Sequence, residues 1–197
     1  MGNAEHTRKH ILNEASKLFN VQGYKATSLS DITTATELTK GAIYRHFGSK
    51  EGLEREALVF MCDHMMSTVS ALVKAEHTAP DKLLVILDFY AAYTVNPPFH
   101  GGCPLTNASI EMDDSDSGLR DVVDEVTRKL HGAVQHIVAK GIEHGQLAPR
   151  VDPSSFASLL VASVEGAIGM MKVTGATKHL RDVISLLKQQ VDQMKPE

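Results

Sequence analysis

The chain has 197 residues, 43% of them hydrophobic and 22% charged, a balance that supports a buried core under a charged surface and suits one or two small domains. That length excludes a large multidomain enzyme. The 20 Lys and Arg against 24 Asp and Glu leave a net charge of −4, which argues against a protein that coats nucleic acid indiscriminately.

In chain order, Ile11, Leu12, Ala15, Leu18 and Phe19 recur at helical spacing and predict a first helix with one buried stripe, ended by Gly23. Ser28 followed by Asp31 is a capping-box pattern that starts a short second helix. Thr39 caps a third helix, closed by Phe47 and Gly48, and Ser49 caps a fourth. This fourth segment runs without proline from Lys50 to about Glu76, a rod of about 40 Å at about 1.5 Å per residue. Thr78, Pro80 and Asp81 open another helix, rich in Leu83, Leu84, Ile86, Leu87, Phe89 and Tyr90, which Pro97-Pro98 stops.

Residues 99–118 read as irregular, apart from a turn or two of helix around Asn107 to Met112. A long amphipathic helix then spans about Leu119 to His144, with Gly145 as its C-terminal cap. Asp152-Pro153 starts a segment rich in small residues, and a last amphipathic helix covers about Lys178 to Met194. No strand-like alternation occurs, so the expected fold is all-α: an N-terminal three-helix helix-turn-helix unit followed by a larger helical body. Cys62 and Cys103 are too few for a disulfide framework, nothing at the N-terminus resembles a signal peptide, and no uninterrupted apolar run approaches a membrane span. The expectation is a cytoplasmic protein with no membrane role.

Ile11-Leu12, Ala15, Leu18-Phe19, Gly23-Tyr24, Thr27-Ser28, Asp31-Ile32, the run Leu38 to Glu51 and Leu53 stand in an order that resembles the N-terminal domain of TetR-family transcriptional regulators. The physics of these positions suits DNA. Free N–H groups at helix starts attract phosphate, so Thr27-Ser28 and Ser49-Lys50 are candidate backbone clamps. From the Thr39 cap onward, small residues let the third helix sink into a major groove, where Lys40 reaches guanine acceptors and the Ala42 methyl meets a thymine methyl.

The resemblance implies that Lys40, Gly41 and Ala42 face bases and that Tyr44, His46 and Lys50 contact phosphate, with Ile43 and Phe47 anchored in the core. Arg45 falls by helical angle between the groove side and the protein side. Glu37 departs from the family, which usually has Gly there, and a positive φ at that residue would cost about 1 kcal/mol. The opening charge argument also changes along the chain. Seven Lys and Arg against four Asp and Glu give residues 1–50 a charge of +3, leaving −7 on the rest: a basic head and an acidic body.

The expected division is therefore a DNA-binding domain at 1–50 and an effector-binding and dimerisation domain at 51–197. One half-site binds weakly, so the resemblance implies a homodimer on a palindromic double-stranded operator, paired through the last two helices. Ala162, Gly166, Gly169, Leu180, Ile184 and Leu187 are the candidate interface residues. Phe89, Tyr90, Tyr93, Cys103, Met112 and Met170 are candidates for lining a small-molecule effector site. Cys103, after Gly101-Gly102 and before Pro104, stands where a thiol could meet an oxidant or electrophile, against a plain reading as a small buried residue. None of the ten histidines stands beside a cysteine with zinc spacing, and the acidic run from Asp113 to Asp116 lacks the pattern of a calcium loop, so neither a metal nor a cofactor is expected.

The leading function is a ligand-responsive repressor. Two alternatives remain: an enzyme with Cys103 as nucleophile and His100 as base, for which no phosphate loop or nucleophile elbow is present, and a helical adaptor with a vestigial DNA-binding head.

Overall fold

The computed structural model describes residues 3–111 and 117–196, and all regular structure among them is helical. In order these are α1 (Asn3–Gln22), α2 (Leu29–Thr36), α3 (Lys40–Phe47), α4 (Lys50–Ala75), α5 (Ala79–Ala91) with a 3₁₀ turn at Ala92–Thr94, α6 (Pro104–Glu111), α7 (Ser117–Glu143), α8 (Pro153–Thr174) and α9 (Lys178–Gln193). The chain forms two compact units, Met1–His64 with Phe99–Val126, and Met65–Pro98 with Thr127–Glu197.

The caps read from the sequence are in place. Ser28 and Asp31 close a reciprocal capping box at the start of α2, Thr78 accepts the Asp81 N–H, and Asp152 accepts the Ser155 N–H with Pro153 in the first turn. Gly23, Gly48, Gly145 and Gly175 take positive φ at the ends of their helices, where the last carbonyls lack partners in sequence.

In the first unit, α1, α2, α3 and the start of α4 enclose a core of Ile11, Ala15, Phe19, Tyr24, Ile32, Ile43, Leu53 and Leu58, all 2% exposed or less. Phe19 stacks on Tyr24, with centroids 5.1 Å apart and the rings nearly parallel. His10 on α1 meets the Thr36 carbonyl at the end of α2 at 3.1 Å. The segment read as irregular contains two full turns, because Pro104 starts α6 and the Cys103 carbonyl accepts the Asn107 N–H at 3.0 Å. The turn or two expected around Asn107 to Met112 overlaps this helix, whose earlier start at Pro104 periodicity did not mark because the helix is short and Ile110 is 77% exposed.

In the second unit, α9 packs on both α8 and α5. Lys188 on α9 also pairs with Asp88 on α5 at 2.5 Å. Two helices, α4 and α8, hold 18-residue windows apolar enough on average to cross a membrane, although polar residues interrupt both. In α8 the apolar residues divide between a buried face, with Phe156, Leu160, Val164 and Ile168, and an exposed face with Leu159, Met170 and Val173. Small polar residues and Glu165 stand among them.

Candidate nucleic-acid interface

The third helix is built to present one side outward. At about 100° per residue, Ile43 and Phe47 fall close together on the helix wheel, and both are buried, at 0% and 8% exposure. The direction opposite them is occupied by Gly41 and Arg45. Lys40, Gly41, Tyr44 and Arg45 are exposed, and Ala42 and His46 are half-buried. Arg45 therefore lies on the outer face, which resolves its ambiguous helical angle. Tyr44, at 45% exposed, is outside the core.

The framework that holds α3 is tight at both ends. Thr39 accepts the Ala42 N–H on its hydroxyl at 3.3 Å, and the N–H groups of Lys40 and Gly41, in the first turn, have no intrahelical acceptor to meet. Gly48 closes the helix with its N–H on the Tyr44 carbonyl at 2.8 Å. A Cβ on Gly52 would sit 2.3 Å from the Phe47 carbonyl oxygen, so the first turn of α4 can press against the end of α3 only because residue 52 has no side chain. Sequence reasoning passed over Gly52. Arg8 on α1 adds a cation–π contact to the Phe47 ring at 5.2 Å and pairs with Glu56.

Two residues expected at the DNA are turned to internal use. Thr27 is fully buried, and its hydroxyl and N–H both donate to the Gly23 carbonyl, at 2.7 and 3.2 Å. It braces the α1–α2 turn. Lys50 sends its ammonium inward to the Tyr24 carbonyl at 2.8 Å and the Glu54 carboxylate at 2.9 Å, with Glu54 only 6% exposed. A buried carboxylate needs a partner, and the lysine four residues earlier supplies it. Ser28 is exposed but occupied by its capping box, while Lys40 and Arg45 carry no ion pair among the described residues.

Comparison with known proteins decides what this arrangement belongs to. Residues 11–57 match the model of bacterial regulatory proteins of the tetR family, and residues 79–187 match the tetracyclin repressor-like C-terminal domain. The chain belongs to the TetR family of transcriptional regulators. The family consists of DNA-binding regulators and not of enzymes, which removes the Cys103 nucleophile reading. A TetR transcriptional regulator from Chloroflexus aurantiacus J-10-FL is 33% identical over 98% of both chains, with a TM-score of 0.93. The HTH-type transcriptional repressor DhaR from Mycobacterium sp. (strain GP1) is 27% identical over 84% of this chain and 82% of its own length. The TetR-family regulator CifR, solved with 26-bp double-strand operator DNA, shares the fold with a TM-score of 0.81 at 24% identity, over 91% of this chain and 94% of its own.

Among the residues expected at a TetR effector site, the structure gathers three. Phe89, Tyr90 and Tyr93 form an aromatic cluster with centroids 5.4 to 6.1 Å apart, and the Tyr93 hydroxyl donates to the Met65 sulfur at 3.2 Å. Tyr90 also lines a small apolar cavity of about 50 Å³ in the second unit, together with Val69, Ile86, Val134, Leu160 and Val164. Cys103 belongs instead to the first unit, where it is 2% exposed, and Cys62 is buried as well. Met170 stands on the outer face of α8 at 51% exposed, and Met112 lies outside the described residues.

The interface residues also divide. Leu180, Ile184 and Leu187 are 0 to 4% exposed, because the apolar stripe of α9 is consumed by its own packing on α5 and α8. These three stabilise the monomer and are not available to a partner. Ala162 and Gly166 remain exposed, and added Cβ atoms at Gly166 and Gly169 would meet nothing within 4 Å. With them on the outer faces stand Leu159, Met170, Val173 and Leu186. No group of three or more potential metal ligands gathers among the described residues, although His6 and His10 have the spacing of one helical turn.

Proposed function

We propose that this TetR-family chain is a ligand-responsive repressor that reads a palindromic operator with α3, as a homodimer in the cytoplasm. The observation that supports it best is the division of α3 into a buried anchor, Ile43 and Phe47, and an outer face carrying Lys40, Gly41, Tyr44 and Arg45. Lys40, Gly41 and Ala42 enter the major groove, with Arg45 beside them. Tyr44 and His46 contact phosphate together with the free amides of the first turn, and Ser28 and Thr39 place their helix starts at the backbone. Lys50 holds α4 to the α1–α2 turn, which leaves the phosphate contacts to the other basic groups. The 26-bp operator complex of CifR, a protein of the same fold, is in keeping with this mode.

Pairing uses the exposed faces of α8 and α9, with Gly166, Gly169 and Ala162 allowing close helix approach and Leu159, Val173 and Leu186 supplying apolar area. The effector enters the apolar cavity beside Tyr90. A volume of about 50 Å³ admits a few heavy atoms, so a larger effector must spread its walls, and that displacement is the means by which binding favours a conformation with lower operator affinity. The test is selection of duplexes from a random pool, followed by binding of wild type and of Lys40→Ala with Tyr44→Ala. Removing a side chain that reads a base costs about 1–3 kcal/mol, so the double variant should lose selectivity while keeping its fold. Equal affinity of wild type and variant for the selected duplex would rule the reading out.

A further inference from the structure

The end of α1 is held by groups from far along the chain. Asn20, 2% exposed, donates from Nδ2 to the carbonyl oxygens of His100 at 2.6 Å and Gly102 at 3.0 Å. Asn107 on α6, 8% exposed, donates from its own Nδ2 to the Asn20 carbonyl at 3.2 Å, to Asn20 Oδ1 at 2.9 Å and to the Gly101 carbonyl at 3.0 Å. Four residues on, Glu111 accepts the backbone N–H of Tyr24 at 2.7 Å and, more weakly, that of Lys25 at 3.4 Å. Two glycines permit this approach. A Cβ on Gly101 would lie 2.2 Å from the Asn20 carbonyl oxygen, and one on Gly23 would lie 2.5 Å from Glu111 Oε1.

Residues 20–25 are thus clasped by the segment 99–111 on one side and by the Lys50 ammonium on the Tyr24 carbonyl on the other. They form the turn from which α2, and after it α3, departs. The match to the family's N-terminal model ends at residue 57, so the Asn107 and Glu111 half of the clasp comes from outside the head. Asn20 and Asn107 are buried, and lifting the segment off α1 would take the His100 and Gly102 acceptors from the Asn20 amide together, a cost that opposes displacement.

We propose that Asn20, Asn107 and Glu111 are positioning residues for operator binding, locking the α1–α2 turn so that the segment 99–111 sets the affinity of the head for specific DNA. This rests on α3 as the reading helix. Base contacts demand a fixed presentation of α3, and a turn that samples other geometries lowers the competent fraction and raises Kd in proportion. Contacts to phosphate alone tolerate such change, because they depend on charge more than on orientation. The signature of a broken clasp is therefore loss of selectivity at unchanged affinity for unrelated DNA. A signal that lifts residues 99–111 off α1 would release the operator with no change inside α3.

The test compares full-length wild type, Glu111→Ala and Glu111→Gln on the duplex selected by wild type and on an unrelated duplex of equal length. Glu111→Ala should raise Kd for the selected duplex by about tenfold, leave the unrelated duplex unchanged and speed hydrogen exchange at the Tyr24 amide. Glu111→Gln, which keeps an acceptor oxygen, should recover most of the loss. Glu111→Asp, one methylene shorter, should fall between them and serves if the alanine variant does not fold. A folded Glu111→Ala with unchanged selectivity, or with equal loss on both duplexes, overturns the proposal. If wild type selects no duplex at all, the reading-helix assignment fails and this inference falls with it, a result distinct from selective binding that Glu111→Ala leaves intact.

Discussion

Glu37 is the residue where sequence and backbone disagree most plainly. It ends α2 at φ 57° and ψ 26°, the left-handed region, and no other non-glycine among the described residues has positive φ. An L side chain is strained there, so Glu37→Gly should raise stability by about 1 kcal/mol in urea unfolding, without moving α3. No gain would mean that the side chain's own interactions offset the strain. Nearby, the Ser28 N–H and then the Ser28 hydroxyl hold the Asp31 carboxyl below its ordinary value of 3.8. A carboxyl with a lowered folded pKa contributes fully above its unfolded value, and the contribution is lost as pH falls through the folded one. Amide protection in Leu29–Thr36, taken relative to the intrinsic exchange rate at each pH, should therefore fall as the pH drops below about 4, and Asp31→Asn should abolish that acid step. Persistence of the step in the variant would assign it to another group.

At the level of elements, the helices were legible because their start signals are chemical: Ser28, Thr39, Thr78 and Asp152 each accept the N–H expected of a cap. What escaped was tertiary. Leu180, Ile184 and Leu187 have the spacing of an interface, and nothing local to α9 says that α5 and α8 already cover it. Likewise the helical turns expected around Asn107 begin three residues earlier, at Pro104, and their clasp on α1 is invisible in the local pattern. The outer face of α8 yields a sharper test of pairing. Gly166 has open space around it in the monomer, so Gly166→Leu should leave the fold of the single chain intact, and leucine favours the helix by up to about 1 kcal/mol. In the dimer the same side chain would push the facing helices apart. Sedimentation should show a folded monomer, and an intact dimer would place the interface elsewhere.

For the molecule as a whole, the charge pattern and the motif in residues 11–53 were enough to name the fold and the DNA-binding end, because both are local in sequence. Within that end, the assignment of individual residues needed coordinates: Thr27 and Lys50 have the chemistry of phosphate ligands, yet their polar atoms face Gly23, Tyr24 and Glu54. The effector site was the least legible part, since apolar residues at helical spacing are core or cavity lining according to packing that no single segment records. The +3 of residues 1–50 against −7 beyond them predicts attraction for DNA at one end only. The role of α3 as the reading helix is exposed most sharply by the affinity of the full-length protein for its selected duplex as a function of salt, measured for wild type and for the Lys40→Ala, Tyr44→Ala double variant. The logarithm of wild-type affinity should fall linearly with log salt and exceed that for unrelated DNA, and the excess should vanish in the variant. A wild type without sequence preference, or a variant that keeps it, would refute the assignment of α3.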